Sequence, residues 1–210
     1  MSLTAYPALT KAPAADAPIV FAFHGTGGDE RQFSQFIDEI MPDAGLIAPR
    51  GDVSEHGALR FFRRTAEGVY DMEDLAERTG KMAAFIAAHR AANPGHPTYA
   101  LGYSNGANIL AAVAFLHPGL FDRVALLHPL IPWKPAPQPG LAGKRILITA
   151  GRRDPICPPE LTDALAAYLK AQAADVTLSQ HEGGHEIRQQ EIADLRNFLT
   201  GAPAPLEVTA

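Results

Sequence analysis

Residues 98 to 113 read T-Y-A-L-G-Y-S-N-G-A-N-I-L-A-A-V, an apolar run, a glycine-flanked turn and a helical pattern of small residues. At their centre lies Gly102-Tyr103-Ser104-Asn105-Gly106, a G-x-S-x-G pentapeptide. A chance glycine-rich turn is the alternative for the pentapeptide alone, but a strand pattern before it and a helix pattern after it are typical of a nucleophile elbow. Such a turn is strained and holds the serine hydroxyl above the sheet, at a helix N-terminus that favours negative charge. The stretch therefore predicts Ser104 as a nucleophile.

Apolar strand patterns and helical patterns alternate along the whole chain. The apolar runs that predict buried strands lie at 19–23, 46–48, 98–101, 123–127, 145–150 and 176–179. This alternation predicts an α/β fold with a mainly parallel sheet and helices on both faces. We expect one domain over residues 19–200. Residues 1–18 are expected to be a loosely ordered lead-in with room for a short edge strand, and residues 201–210 a flexible tail.

Composition excludes several classes of protein. The chain has 210 residues, 47% of them hydrophobic, which is enough for one sizeable core. Its net charge of −5 gives no reason to expect a nucleic-acid partner. It shows no basic and apolar leader and no apolar run near the roughly 18 residues that a membrane span needs, so we expect a cytoplasmic protein. Cys157 is the only cysteine, so it forms no internal disulfide, and we expect it to be a small buried apolar residue.

A nucleophilic serine needs a general base, and a third group must orient that base. In chains with this elbow the acid follows the serine and the histidine comes last. Asp154 follows the strand predicted at 145–150, and His185 follows the last strand in a Gly-Gly loop. We predict Asp154 as the acid and His185 as the base. The weaker alternatives are Asp122, which precedes a strand, and His181, which lies nearer to the last strand.

Acyl transfer places negative charge on the carbonyl oxygen, and fixed N–H donors must meet that charge. Residues 24–28 read H-G-T-G-G and follow the first strong strand, at the same sheet edge as the serine. We predict the backbone N–H groups of Thr26 and Asn105 as the donors, with the Thr26 hydroxyl as a candidate third. His24 is expected to fix this loop. Because no Lys-Ser/Thr follows the glycines, a phosphate-binding loop is disfavoured.

Residues 181–185 read H-E-G-G-H, a literal match to the H-E-x-x-H zinc motif. That motif works on a helix, where both histidines share one face. Here two glycines, each costing about 1 kcal/mol in a helix relative to alanine, follow directly on a strand. We therefore predict no metal site and no cofactor. His128 ends a strand near the site and is a candidate lining residue, but it precedes the acid in the chain.

Loops at the predicted active edge, including a long loop at 52–70, supply the candidate substrate-binding residues, which are Phe61, Phe62, Arg60, Arg63, Trp133 and Ile156. The apolar members are candidates for the wall of an acyl pocket, with plain core packing as the alternative for each. The arginines of the segment 60–64 are candidates for reading an anionic group on the substrate. The alternative is that they pair with Glu67, Asp71 or Glu73.

Six motifs occur in a fixed order: H-G-T-G-G-D at 24–29, A-P-R-G at 48–51, R-F-F-R-R at 60–64, G-Y-S-N-G-A-N at 102–108, D-P-I-C-P at 154–158 and G-G-H at 183–185. With them the chain resembles the phospholipase/carboxylesterase family of α/β-hydrolases over about residues 16–200. The resemblance implies an α/β-hydrolase fold without a large lid domain and with no metal. It also implies Ser104, Asp154 and His185 as the triad, with Thr26 and Asn105 as oxyanion donors.

The same resemblance bears on substrate and assembly. The family includes acyl-protein thioesterases, small bacterial carboxylesterases and a bacterial subgroup of predicted serine hydrolases, and it implies hydrolysis of short-to-medium acyl esters or thioesters. The thioesterases usually carry Leu-Gly-Asp after His-Gly, and residues 24–28 depart from that pattern. This departure disfavours a protein-depalmitoylating role. Many members are dimers, so a homodimer is an open alternative.

Together these observations predict a serine carboxylesterase that cleaves small-to-medium acyl esters of small molecules through an acyl-enzyme intermediate. A thioesterase or lysophospholipase is the alternative among enzymes. A non-catalytic small-molecule binding protein on the same scaffold is the alternative from another class, because a fold does not fix function. The intact triad disfavours it.

Overall fold

The computed structural model describes residues 2–201, and eleven strands and five α-helices form its framework. The strands are, in chain order, β1 (Ala8–Lys11), β2 (Ile19–Phe23), β3 (Gly45–Pro49), β4 (Val53–Glu55), β5 (Ala58–Arg60), β6 (Arg64–Ala66), β7 (Val69–Tyr70), β8 (Thr98–Tyr103), β9 (Arg123–Leu127), β10 (Arg145–Gly151) and β11 (Asp175–His181). The helices are α1 (Ser34–Ile40), α2 (Met72–Ala92), α3 (Asn105–Leu116), α4 (Pro159–Ala171) and α5 (Gln189–Thr200). None of these helices is both long and apolar enough to cross a membrane.

A seven-stranded sheet forms the centre of the molecule, in the order β1-β3-β2-β8-β9-β10-β11. Its neighbours are parallel except β1, which pairs antiparallel with β3. The mainly parallel sheet and the flanking helices confirm the predicted α/β-hydrolase class. Because β2, β8, β9, β10 and β11 run the same way, the loops after them meet at one edge, where ligands bind in such sheets.

The N-terminal segment contributes β1, a short strand at the edge of this sheet, for which the prediction for residues 1–18 left room. The domain limits 19–200 stay a prediction. Of the tail predicted at 201–210, only Gly201 lies within the described residues.

Helices cover both faces of the sheet, which is why the central strands are apolar without alternation. All residues of β2 are buried. Phe21 belongs to the apolar cluster that contains residues of α2, α3 and α4, and Val20 belongs to the cluster on the opposite face that contains residues of α1 and α5. The helix α3 is buried along nearly its whole length, because its alanines let it approach the sheet closely. This helix begins directly after Ser104 and so fixes the serine at the centre of the sheet.

The long loop predicted at 52–70 instead forms two hairpins, β4–β5 and β6–β7. The turn between β4 and β5 contains His56 and Gly57, both with positive φ, as in the tight turns that suit a hairpin. These strands are only two or three residues long, too short to show an alternating pattern in the sequence. Of the candidate substrate-binding residues, Arg60 ends β5, and Phe61, Phe62 and Arg63 lie between the two hairpins.

Candidate active site

Ser104 stands at the junction of β8 and α3 in a strained conformation, with φ 51° and ψ −117°. A non-glycine residue in such a region costs about 1–3 kcal/mol, and surrounding contacts must hold it there. One of these contacts is the Ser104 N–H, which donates to the Leu127 carbonyl at 2.8 Å. The serine hydroxyl lines a cavity of about 270 Å³ at the carboxyl edge of the sheet.

The structure brings Ser104, His185 and Asp154 together. His185 Nε2 lies 2.9 Å from Ser104 Oγ, and His185 Nδ1 lies 2.7 Å from Asp154 Oδ2. The second oxygen of Asp154 accepts the backbone N–H groups of Ile156 and Cys157 at 2.8 and 2.9 Å. Burial alone would raise the pKa of Asp154, but the N–H of Cys157 and the imidazoles that contact its carboxylate outweigh burial and lower this pKa. An ionised carboxylate therefore faces His185.

The loop that carries His185 is fixed from two sides. The Tyr103 hydroxyl donates to the His185 carbonyl at 2.7 Å, and the two rings are 5.4 Å apart. At Gly151 the backbone of the same loop passes so close that an added Cβ would lie 2.0 Å from the Gly184 carbonyl oxygen. The glycines on both sides of this approach let the loop bend back over the sheet edge.

The alternative acid and base lie elsewhere. Asp122 accepts the Thr98 N–H at 2.7 Å, at the start of β8 and thus at the opposite end of that strand from the serine. His181 contacts Glu191 instead, with its Nε2 2.9 Å from Glu191 Oε2. Residues 181–185 form no helix, and His181 and His185 contact different carboxylates. The arrangement of an H-E-x-x-H zinc helix is therefore not present in the described residues.

The predicted oxyanion donors line the same cavity as Ser104. Thr26 lies in the loop after β2, and Asn105 is the first residue of α3. His24 supports this loop, because its ring contacts the Gly25 carbonyl at 2.7 Å through Nδ1 and accepts the Gly51 N–H at 2.9 Å through Nε2. Burial lowers the pKa of His24, which keeps it neutral. These contacts agree with the prediction that His24 fixes the loop.

Of the candidate substrate-binding residues, Arg60 and Ile156 line the cavity, and the others do not. Phe61 and Phe62 are fully buried core residues. Phe61 is held by its N–H, which donates to the Asn105 side chain at 2.7 Å. Trp133 lines an apolar groove beside α4, outside the cavity. These three aromatic residues therefore pack in or against the core and do not form the wall of the cavity. The sequence places them near the active edge, but it does not give the direction of each ring.

The arginines of the segment 60–64 are largely paired within the protein. Arg63 is exposed and pairs with Asp71 at 3.3 Å, outside the cavity. Arg64 contacts Glu67, and it also pairs with Glu55 at 2.9 Å. These contacts match the pairing alternative. The carboxylates of Glu55 and Glu67 therefore offset the charge of Arg64 next to the cavity.

Arg60 differs from the other two arginines because its side chain is almost fully buried. Its Nη1 donates to Thr26 Oγ1 at 2.9 Å and lies 3.4 Å from Glu55 Oε2. The guanidinium thus holds the Thr26 hydroxyl beside Ser104.

Two buried residues lie beneath the cavity: His128, which the sequence predicts only as a candidate lining residue, and Glu191, which the sequence does not single out. His128 is fully buried, and its Nδ1 lies 2.9 Å from the Asp154 oxygen that also faces His185. Glu191, on α5, is equally buried and lies 3.0 Å from His128 Nε2. In the sequence, Glu191 lies in the first turn of the last helix, a position that is typical of solvent-exposed glutamates. The only signal in the sequence is that His128 ends a strand at the active edge.

No family model matches the chain. Over 187 residues it is 37% identical to the protein of Bacillus subtilis (strain 168) named "Putative hydrolase MhqD", covering 88% of this chain and 93% of that protein. A crystal structure of the protein Atu2452, of unknown function, from Agrobacterium tumefaciens matches with a TM-score of 0.89 and 52% identity, over 96% of this chain and 98% of that one. A crystal structure of the Bacillus cereus carboxylesterase matches with a TM-score of 0.87 and 32% identity, over 93% and 94% of the two chains.

Proposed function

We propose, on the premise that this chain belongs to the phospholipase/carboxylesterase family of α/β-hydrolases, that it hydrolyses esters with Ser104, His185 and Asp154 as its catalytic triad. The observation that carries the proposal is the unbroken contact chain from Ser104 Oγ through His185 to the buried Asp154 carboxylate, at 2.9 and 2.7 Å. These contacts are those that ester hydrolysis by a serine nucleophile requires.

Each member of the triad then has one role. His185 Nε2 takes the proton of Ser104 as its oxygen attacks the ester carbonyl, and the tetrahedral intermediate collapses when His185 returns that proton to the leaving alcohol. Asp154 holds the imidazole tautomer and stabilises its cationic form. Water, activated by His185, then attacks the acyl-serine, and the carboxylic acid and free Ser104 result.

The backbone N–H groups of Thr26 and Asn105 are the proposed oxyanion donors. Both residues line the cavity beside Ser104, and the Asn105 N–H also belongs to the N-terminus of α3, where the helix dipole favours the developing negative charge. Removing one such donor typically lowers kcat by about 10²–10³-fold.

Thr26→Val tests whether the backbone or the hydroxyl of Thr26 is the donor. Because valine keeps the backbone N–H, we expect kcat to fall by less than about tenfold, well below the loss typical of a missing oxyanion donor. The buried Arg60 loses one of its hydrogen-bond partners in this variant, so a lower melting temperature is expected as well. Thr26→Ser, which keeps the hydroxyl, is the matched control. A hundredfold loss of kcat in Thr26→Val alone would make the hydroxyl the donor.

The cavity supports small-to-medium acyl groups as substrates. Its volume is about 270 Å³, and Leu130 and Ile156 provide apolar wall next to the polar groups of Arg60 and Arg64. Cys157 also lines it, but burial raises the pKa of this thiol, so it stays protonated and does not compete with Ser104 as a nucleophile. A thioester of the same acyl group is the alternative substrate, and matched butyryl ester and thioester assays compare the two.

The first experiment is reaction of the purified protein with a fluorophosphonate probe, followed by peptide mass spectrometry. We expect one adduct per chain, on Ser104, and parallel loss of p-nitrophenyl butyrate hydrolysis, both unaffected by a metal chelator. A non-catalytic binding protein would bind ligands but form no adduct. Hydrolysis that survives full labelling of Ser104, or that a chelator abolishes, would contradict the proposal.

A further inference from the structure

A cluster of buried ionisable side chains lies beneath the proposed triad. The Asp154 Oδ2 oxygen accepts from two histidines, His185 above it and His128 below it, at 2.7 and 2.9 Å. His128 continues to Glu191, whose Oε1 lies 3.0 Å from its Nε2. We propose that His128 and Glu191 are positioning residues that hold the Asp154 carboxylate ionised and oriented toward His185. This inference rests on the proposed triad.

The contacts of His128 define its protonation state. Each ring nitrogen faces a carboxylate, and an ionised carboxylate only accepts hydrogen bonds, so both nitrogens must carry protons. Burial alone would lower the pKa of His128, but its contacts with Glu191 and Asp154 outweigh burial and raise this pKa. The cluster thus contains a buried imidazolium between two carboxylates, so one cation stabilises both buried anions.

Glu191 is held from three elements. Its Oε1 accepts the Thr149 hydroxyl of β10 at 2.5 Å, and its Oε2 accepts the Arg188 N–H before α5 at 2.8 Å. The Nε2 of His181, at the end of β11, lies 2.9 Å from Oε2. Burial would raise the pKa of Glu191, but its contacts with His128, Thr149 and Arg188 outweigh burial and lower this pKa. Glu191 is therefore a fixed anion and not a proton donor.

The ligand-type atoms of His128, His181 and Glu191 lie within 4.8 Å of one another, a spacing that a metal ion also allows. The Nε2–H groups of both histidines approach Glu191 but are not aligned with its oxygens. His181 decides between the two interpretations. Its Nδ1 accepts the Gly183 N–H at 2.9 Å, so the proton of the neutral ring is on Nε2, where a metal would need a lone pair. The geometry therefore favours protonated Nε2 atoms that face Glu191 over a metal site.

The imidazolium of His128 has a direct electrostatic effect on the base. The ring centres of His128 and His185 are 5.1 Å apart, so a cation at His128 opposes protonation of His185 and offsets part of the attraction from Asp154. The other titratable groups against His128 in the described residues are His181, whose ring centre lies 5.7 Å away, and the pair Tyr103 and Cys157. Burial raises the pKa of Tyr103 to about 12 and also raises that of the Cys157 thiol, so both are neutral at the pH of an assay.

The test is the pH profile of kcat/KM in His128→Gln. Glutamine is neutral, so the cation beside His185 is lost, and we expect the acidic limb of the profile to move up by about one pH unit. The plateau is expected to fall by roughly tenfold, because Asp154 loses one of the contacts that orient it. Leu195→Val, a change of a buried apolar residue on the same helix as Glu191, is the matched control and is expected to keep the wild-type limb.

Nitrogen NMR of histidine-labelled protein tests the cluster without activity. In the wild type at pH 8 we expect one imidazole with both nitrogens protonated, and this signal is expected to disappear in His128→Gln and in Glu191→Gln. Its absence from the wild type, or one tightly bound metal ion per chain, would overturn the inference. So would a folded His128→Gln with the wild-type limb and plateau. A wild type without esterase activity would contradict the proposed function instead, and the NMR result would still decide on the cluster.

Discussion

Ser104→Ala is expected to lower kcat for p-nitrophenyl butyrate by at least about 10⁴-fold, and to abolish labelling by a fluorophosphonate. The serine is the only one of the triad residues that forms a covalent bond in the proposed mechanism, so no neighbour replaces it. The rate that remains is the contribution of the oxyanion donors and of substrate binding. KM is expected to change little, because the alanine keeps the shape of the cavity.

Two controls make this result specific. Ser54→Ala removes the hydroxyl of an exposed serine on β4 and is expected to leave kcat unchanged. Melting temperature serves as the second control, since alanine at position 104 keeps the strained φ of 51° and should unfold near the wild-type temperature. If Ser104→Ala retained more than a tenth of the wild-type kcat while folded, the elbow would not be the site of the chemistry.

Gly106→Ala is expected to reduce the free energy of unfolding by about 2–4 kcal/mol. A Cβ at this position would lie 2.4 Å from the Phe23 carbonyl oxygen and 2.5 Å from that of His24, and both are backbone atoms that cannot rotate away. The helix α3 must then move off the end of β2. Because the loop after β2 carries Thr26, this movement separates Thr26 from Ser104, and kcat is expected to fall together with stability.

Gly80→Ala is the matched control for the glycine substitution. Gly80 lies inside α2, and an added Cβ there would meet nothing within 4 Å. Alanine is favoured over glycine in a helix interior by about 1 kcal/mol, so this variant should be more stable than the wild type. Urea unfolding of both variants, followed by circular dichroism, measures the difference. Equal stabilities of Gly106→Ala and Gly80→Ala would mean that the elbow tolerates a side chain.

The contact between Ser104, His185 and Asp154 was predictable because it depends on topology. Ser104, Asp154 and His185 each follow a strand, and parallel strands place the residues after them at one edge of the sheet. Residues far apart in the sequence can therefore meet at this edge. The order serine, acid, histidine then favours Asp154 and His185 among the acidic residues and histidines. Asp122 fails this criterion because it precedes β9, whereas His181 lies at the correct end of β11 but contacts Glu191.

The cavity wall was less predictable because it depends on the orientation of single side chains. Phe61 and Phe62 lie in a loop at the correct edge, yet both rings are buried in the core, and Phe61 is placed by one hydrogen bond to Asn105. Glu191 failed to stand out for the opposite reason. Its burial depends on Thr149 and His128, partners from strands far away in the sequence. Contacts between residues so far apart in the sequence produce no local sequence pattern from which they could be predicted.

The places of the strands in the sheet imply an order of events on heating. Ser104 follows β8, which has neighbours on both sides, whereas His185 follows β11, the last strand at its edge of the sheet. Local opening starts where backbone hydrogen bonds have least cover, so amides of β11 should exchange with solvent sooner than those of β8. On heating, we therefore expect the proposed base, His185, to be released while the proposed nucleophile, Ser104, is still held. If so, the first loss of activity is expected to be reversed on cooling.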